Sequence, residues 1–327
     1  MTRVLDVRNL RVSFPAGDGR RFNPVDGVSF SLDRGETLAL VGESGCGKSL
    51  TSLALLRLVP TPGRIDAGST IRLGDTDVLA LAGEDLRRIR GKRIGMIFQD
   101  PMTSLNPVYT AGHQIAEGVL AHLRVSKREA RERARGLLQE VGIPDPDKRL
   151  DSYPHQLSGG MRQRVMIAIA LAAEPEILVA DEPTTALDVT VQAQILEVLD
   201  GLRRRRGMAV LLITHDLGIV AGRADKVAVM YAGQIVEEAP TAQLFAHPSH
   251  PYTQGLFASI PRITGPVERL TPIRGTVPPA TAWPAGCRFR PRCPQAFDKC
   301  ERPPELLQVG PDHRMRCWLA AGNGGRG

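Results

Sequence analysis

Apolar and polar positions alternate from Val4 to Phe14, the period-2 pattern of a half-buried strand, and the turn-rich Pro15-Ala16-Gly17-Asp18-Gly19 follows. Gly27 to Leu32 predicts a second strand, which leads through Asp33-Arg34-Gly35 into the apolar run Glu36-Thr37-Leu38-Ala39-Leu40-Val41. Leu50 to Leu58 has the spacing and composition of a buried helix. Further buried strands are predicted at residues 94 to 98, at Ile177 to Glu182, and at Val210-Leu211-Leu212-Ile213-Thr214. Between them, Ser126-Lys127-Arg128-Glu129 spells a capping box. Ala130, Ala134, Leu137, Leu138 and Val141 then share one helical face before Gly142 stops the helix. Buried strands alternating with helices predict an α/β fold, and the β-rich entry separates it from a Rossmann opening.

Between the strand ending at Val41 and the helix beginning at Leu50 lies Gly42-Glu43-Ser44-Gly45-Cys46-Gly47-Lys48-Ser49, a full G-x-x-x-x-G-K-[ST] match in its expected strand–loop–helix setting. Its glycines let backbone N–H groups wrap a phosphate and the helix N-terminus adds a favourable dipole; Lys48 is expected at the terminal phosphates and Ser49 on Mg²⁺. Phe14, with Phe22 second, is either a stacking platform for an adenine ring or a core residue. Gln99 follows the strand at 94 to 98, where its amide could face metal and water. Ser158 is placed to N-cap the apolar helix Val165 to Ala173, making Gly159 and Gly160 a second anion-binding terminus. Asp181 and Glu182 end a buried strand: the first is placed to hold Mg²⁺ through its water shell, the second to orient the water that attacks a γ-phosphate. His215 ends another strand and is either structural or a γ-phosphate contact.

Composition narrows the picture little. With 327 residues, 42% hydrophobic and 24% charged, the chain is long enough for one large α/β domain and a smaller appendage. No run of about 18 apolar residues is present and Met1 to Asp6 lack a signal-peptide core, so a cytosolic protein is expected. The net charge of +7 suits an anionic membrane face or a nucleic acid without choosing between them. Arg203 to Arg206 read as the solvated end of a helix just before Gly207. Four of the five cysteines, Cys287, Cys293, Cys300 and Cys317, follow C-x5-C-x6-C-x16-C. In a cytosolic chain such clustering reads as metal ligands or as reduced structural thiols, and the absence of C-x2-C pairs leaves zinc and iron–sulfur undecided.

Taken together, the loop at 42 to 49, Gln99, Leu157-Ser158-Gly159-Gly160-Met161, Asp181-Glu182, Ala186-Leu187-Asp188 and His215 resemble, in order and spacing, the ATP-binding subunit of an ABC transporter along residues 1 to about 240. The resemblance implies a P-loop NTPase fold of the ABC type, with a RecA-like core, an antiparallel β subdomain and a helical subdomain at about 100–165. It implies a head-to-tail dimer in which Phe14, Gly42, Ser44 to Leu50 and Gln99 of one subunit face Ser158, Gly159, Gly160, Met161 and Asp188 of the other across ATP. Glu182 is then the catalytic base, His215 the switch, and Ser49, Gln99 and Asp181 the Mg²⁺ residues. Met161 departs from the commoner Gln at its position, which points to a subfamily.

His247-Pro248-Ser249-His250-Pro251-Tyr252-Thr253, the Pro-rich stretch and the cysteines are similar to the C-terminal region of D-type ATPases of oligopeptide and dipeptide permeases. That resemblance implies a small Cys/Pro-rich extension over 241–327 carrying a 4Fe-4S cluster on the four cysteines, with zinc as the alternative. It also implies a partner ATPase, a related F-type subunit, two transmembrane permease subunits docking on the insert between Gln99 and Ser158, and an extracytoplasmic peptide-binding protein acting indirectly. The location implied is peripheral, at the cytoplasmic membrane face, with no nucleic-acid partner. An importer of nickel or another small solute, or a soluble non-transport ABC ATPase, are the competing readings.

Overall fold

The structure is a computed structural model that describes residues 2–17, 19–100, 104–185, 187–259 and 272–320. Strands β1 (Arg3–Pro15), β2 (Arg21–Asp33) and β3 (Thr37–Val41) precede helix α1 (Lys48–Leu55). Short strands β4 (Arg64–Ile65), β5 (Thr70–Leu73) and β6 (Thr76–Asp77) lead to α2 (Gly83–Lys92) and β7 (Ile94–Ile97). Helices α3 (Ala111–His122), α4 (Lys127–Glu140), α5 (Pro146–Arg149) and α6 (Gly159–Ala170) follow. Strand β8 (Ile177–Asp181), α7 (Val189–Arg206), β9 (Ala209–Thr214), α8 (Leu217–Ala221), β10 (Lys226–Tyr231) and β11 (Gln234–Pro240) come next. The chain then carries α9 (Thr241–Ala246), α10 (Pro251–Ala258), β12 (Leu307–Gly310) and β13 (His313–Met315). The element order matches the predicted alternation. The second strand begins at Arg21 instead of Gly27, because Asn23, Pro24 and Asp26 read as turn residues and conceal the inward-facing Val25.

The chain divides into two compact units. One comprises Met1–Leu5, Leu32–Glu36 and Leu73–Ile213. In it β7, β8 and β9 run parallel, Ile94 opposite Ile177 and Ile177 opposite Ala209. Parallel strands are covered on both faces, which is why β8 and β9 are apolar up to their last residues, Asp181 and Thr214, and buried along their whole length. The predicted capping box closes on α4: Ser126 Oγ accepts from Glu129 N–H and the Glu129 carboxylate accepts from Ser126 N–H. Ala130, Ala134, Leu137 and Leu138 are buried as the periodicity requires. Helix α7 ends at Arg206 with Gly207 in the left-handed conformation (φ 60°). All four arginines of its run have protein partners: Arg203 donates to the Gly35 carbonyl and Arg206 pairs with Glu140, both half-buried, while Arg204 and Arg205, paired with Asp200 and Glu140, stay exposed.

The other unit comprises Asp6–Ser31, Thr37–Arg72 and Thr214–Gly327. Here β3 and β10 are parallel, β10 and β11 antiparallel, and the hairpin β12–β13 adds to β11, with Glu237 opposite Met315. Strand β1 also pairs with β4, antiparallel. The core of this unit gathers Ala39 and Val41 of β3, Val227, Val229 and Tyr231 of β10, Tyr252 of α10, and Phe289. Chain beyond residue 240 therefore shares one apolar core with the strand that enters the phosphate loop.

Candidate active site

The loop at 42 to 49 follows β3, and its glycines are imposed by close packing. A Cβ on Gly42 would stand 2.2 Å from the Met230 carbonyl oxygen, and one on Gly47 (φ 107°) 2.6 Å from that of Pro24. Neither backbone oxygen can move aside without breaking the strand that holds it. Gly47 caps α1 without a side-chain bond, leaving the first N–H groups of that helix for a ligand. Lys48 is buried, its ammonium donating to the carbonyls of Gly42 (2.8 Å) and Glu43 (3.0 Å). Cys46 is fully buried and burial pushes its thiol above the ordinary range, so it acts as a small apolar side chain. Ser44 and Gly45 are exposed, and Ser49 and Leu50 half-buried. Phe14 is half-buried and stacks on Phe22, ring centroids 6.0 Å apart, so the two aromatic candidates form one platform.

In the other unit β8 delivers Asp181, which is buried, and Glu182, whose backbone lies in the left-handed region (φ 46°). A non-glycine residue held there is strained, and the surroundings fix it. Glu182 N–H donates to the Ile213 carbonyl (2.9 Å), and its Oε2 accepts from Gln99 Nε2 (3.0 Å) and Thr185 Oγ1 (2.9 Å). Gln99 and Glu182, 83 residues apart in sequence, are thus in direct contact. Thr185 escaped sequence reasoning, since a lone threonine after an acidic strand carries no distinctive signal.

Ser158 N-caps α6, accepting from Met161 N–H (3.3 Å), and Asp188 N-caps α7, accepting from Val191 N–H (2.9 Å). The two helix starts abut: a Cβ on Gly160 would meet Val191 at 2.8 Å and one on Gly159 would touch Leu187. Ser158, Gly159 and Asp188 are exposed, whereas Ala186 lies outside the described residues. His215 is exposed just beyond β9.

The ABC transporter family model matches residues 25–185, and the model for the oligopeptide/dipeptide transporter C-terminal region matches residues 236–300. The chain is 51% identical over 323 residues to the oligopeptide transport ATP-binding protein AppD of Bacillus subtilis, covering 98% of this chain and 97% of that one. It is 50% identical to the dipeptide transport ATP-binding protein DppD of the same organism, covering 98% and 95%. The chain belongs to the ATP-binding proteins of this ABC transporter family. Among solved structures, the ADP- and phosphate-bound dimer of the ATP-binding cassette MJ0796 aligns with TM-score 0.63 and 27% identity, covering 72% of this chain and 98% of that one. The cassette cbiO1 of Clostridium perfringens aligns with TM-score 0.64 and 26% identity, covering 76% and 92%. The chain is therefore an ABC-type ATPase with the nucleotide-binding fold of that family.

For this ABC ATPase the expected 4Fe-4S cluster is corrected, and its zinc alternative with it. Among the described residues no three His, Cys, Asp or Glu side chains are grouped to hold a metal ion. Cys287 and Cys300 are instead packed in the apolar core with Tyr231, Tyr252 and Phe289, and Cys293 lies against it. Burial raises the thiols of Cys287 and Cys293, and that of Cys317 to about 11. Protonated thiols in an apolar core behave as small hydrophobic side chains, whereas a metal takes thiolates. The clustering that suggested ligands is a packing pattern.

The C-terminal extension meets the phosphate loop at Glu43. Tyr252 Oη accepts from Glu43 N–H (3.0 Å), and Arg292 donates to both Glu43 carboxylate oxygens (2.7 and 2.9 Å). Arg292 is nearly buried and Glu43 about one-third exposed. The His247 to Thr253 motif held the signal for Tyr252, but it reads as a family mark and not as a contact. Nothing in the sequence pairs Arg292 with a residue 249 positions away.

Proposed function

We propose that this ATPase powers import of short peptides, as an ATP-hydrolysing subunit that closes on a partner ATPase when ATP binds and reopens after hydrolysis. The observation that carries the catalytic assignment is Glu182 fixed in a strained backbone conformation by Ile213, with its carboxylate oriented by Gln99 and Thr185. A carboxylate so held can take the proton of a water attacking the γ-phosphate, with no rearrangement at the moment of reaction. Lys48 and the loop N–H groups bind the phosphates, and Phe14 stacks on the base. His215 contacts the γ-phosphate. Ser158, Gly159, Gly160, Met161 and Asp188 face the nucleotide of the partner subunit. The proposed Mg²⁺ residues Ser49, Gln99 and Asp181 offer hydroxyl, amide and carboxylate oxygens, the donor set Mg²⁺ prefers; the ion neutralises phosphate charge.

The peptide cargo rests on the names of the relatives at about 50% identity and on the matched C-terminal region. That match also supports dividing the chain functionally into a cassette at 1–240 and an extension at 241–327. Among the described residues no helix is long and apolar enough to cross a membrane, so transport would require separate permease subunits, with this chain peripheral to them. Their docking surface is the helical insert. Its helices α3 and α4 border a groove of about 670 Å³ lined by Thr110, His113, Ala116, Leu120, Lys127 and Arg131. Exposed Val108 and Tyr109 lie just before it in the chain. The partner ATPase is a related F-type subunit, and a peptide-binding protein acts through the permeases.

The experiment is Glu182→Gln in the assembled transporter. It should bind ATP, lose about 10²- to 10⁴-fold in hydrolysis, and accumulate closed ATPase dimer. Ordinary turnover by this variant would overturn the assignment of Glu182.

A further inference from the structure

A carboxylate is an unexpected neighbour for a triphosphate, yet Glu43 is the second residue of the phosphate loop. Its charge would repel the nucleotide unless another group neutralised it. Arg292 does so in the strongest geometry available to these side chains, a two-pronged guanidinium–carboxylate pair. The pair with Glu43 is the main reason the Arg292 guanidinium holds its proton more tightly than usual. Arg292 is itself fixed by donating to the carbonyls of Arg274 and Gly275 (2.8 and 3.1 Å) and lying over the Tyr231 ring. The backbone of Glu43 is held separately, through its N–H bond to Tyr252.

A second anchor reaches the loop from behind. Arg288 donates to the Ala232 carbonyl and to Asp26, and stacks over Trp283 at 3.7 Å. Trp283 closes on Gly233, where a Cβ would meet its ring at 2.3 Å. Gly233 N–H donates to the Cys46 carbonyl (2.9 Å), and its own carbonyl accepts from Asp26 N–H (2.9 Å). The extension thus holds the turn that supports Cys46, two residues before Lys48.

We propose that Arg292, with Tyr252, is a positioning residue for ATP binding: the C-terminal extension neutralises Glu43 and draws its carboxylate out of the phosphate cradle. The proposal rests on nucleotide binding by this cassette and is independent of cargo. Removing Arg292 leaves a full negative charge in the loop. At an effective dielectric near 20 and about 10 Å from phosphate, weakened further by salt, this corresponds to roughly 5- to 20-fold weaker ATP binding. The loss should shrink as ionic strength rises.

The test measures the Kd of a fluorescent ATP analogue for the full-length protein at low and high salt, for Arg292→Ala, Glu43→Gln and the double variant. Arg292→Ala should bind about 5- to 20-fold more weakly at low salt. Glu43→Gln should bind as tightly as wild type or more tightly, and the double variant, whose net charge at this point equals that of the wild type, should bind about as tightly as wild type. A merely structural strap predicts the opposite: Glu43→Gln weakens binding, and the double variant is as weak as Arg292→Ala. Either of those results overturns the proposal, as does Arg292→Ala binding like wild type. Glu43→Gln keeps the question open to refutation even if Arg292→Ala fails to fold. Wild-type protein that binds no nucleotide would instead overturn the ATPase reading itself.

Discussion

His250 should make the stability of the C-terminal unit fall as pH falls below neutrality. The side chain is buried, and burial lowers its pKa from 6.5 to about 3. Its Nδ1 accepts from Tyr252 N–H (3.0 Å), and the carbonyl of Arg316 lies within hydrogen-bond reach of the ring. Protonating Nδ1 would set two donors against each other at the start of α10. Charged groups also pack nearby: the Glu237 carboxylate accepts from the N–H groups of Ser249 and His250 and binds His313, and Arg316 follows β13. Because the folded pKa lies below the unfolded one, the unfolded chain binds more protons from about pH 6.5 down to about 3. Stability is therefore complete above that window and is lost as pH falls through it. Between pH 7 and 5 the loss is about 1.4 pH units of linkage, or about 2 kcal/mol.

Urea unfolding followed by tryptophan fluorescence reads this unit directly, since Trp283 and Trp318 are the two tryptophans of the chain and both lie in it. His250→Asn keeps an acceptor suited to the N-cap and cannot titrate. It should flatten the pH dependence by about 2 kcal/mol over that range. Parallel wild-type and variant profiles would refute the reasoning.

Three further outcomes follow from particular contacts. Gly42→Ala should abolish nucleotide binding in an equilibrium assay, because its Cβ would stand 2.2 Å from a strand carbonyl. Thr185→Val should lower kcat with little change in the KM for ATP, since a donor to the Glu182 carboxylate is lost; an unchanged kcat would exclude a role for Thr185 in orienting it. Ser126→Ala should destabilise the helical unit by about 1 kcal/mol in thermal unfolding, and leave ATP binding by the isolated chain intact.

Legibility in the sequence followed the range of the interactions. The capping box at Ser126, the buried runs of β8 and β9, and the end of α7 at Gly207 are local periodicities or local cap chemistry, and each stands close to where the pattern predicts. The phosphate loop was legible because its glycines answer a requirement of the backbone itself. Gln99 could be named from its place at a strand end, but its bond to Glu182 depends on the parallel register of β7 and β8. Arg292 and Glu43 were silent because charged residues are common and their pairing is set by tertiary structure alone. The cysteines misled for the complementary reason: four thiols close in sequence suggest ligands, while the fold uses two of them as apolar filling.

The β12–β13 hairpin has a practical corollary. It occupies the hydrogen-bonding edge of β11, with Glu238 opposite Arg314. Trimming the protein after Pro240 to obtain a minimal cassette would bare that edge as a template for strand pairing between molecules. Such a fragment would be prone to aggregate, so poor behaviour of a shortened protein would reflect a bared seam and not a defect in ATP chemistry.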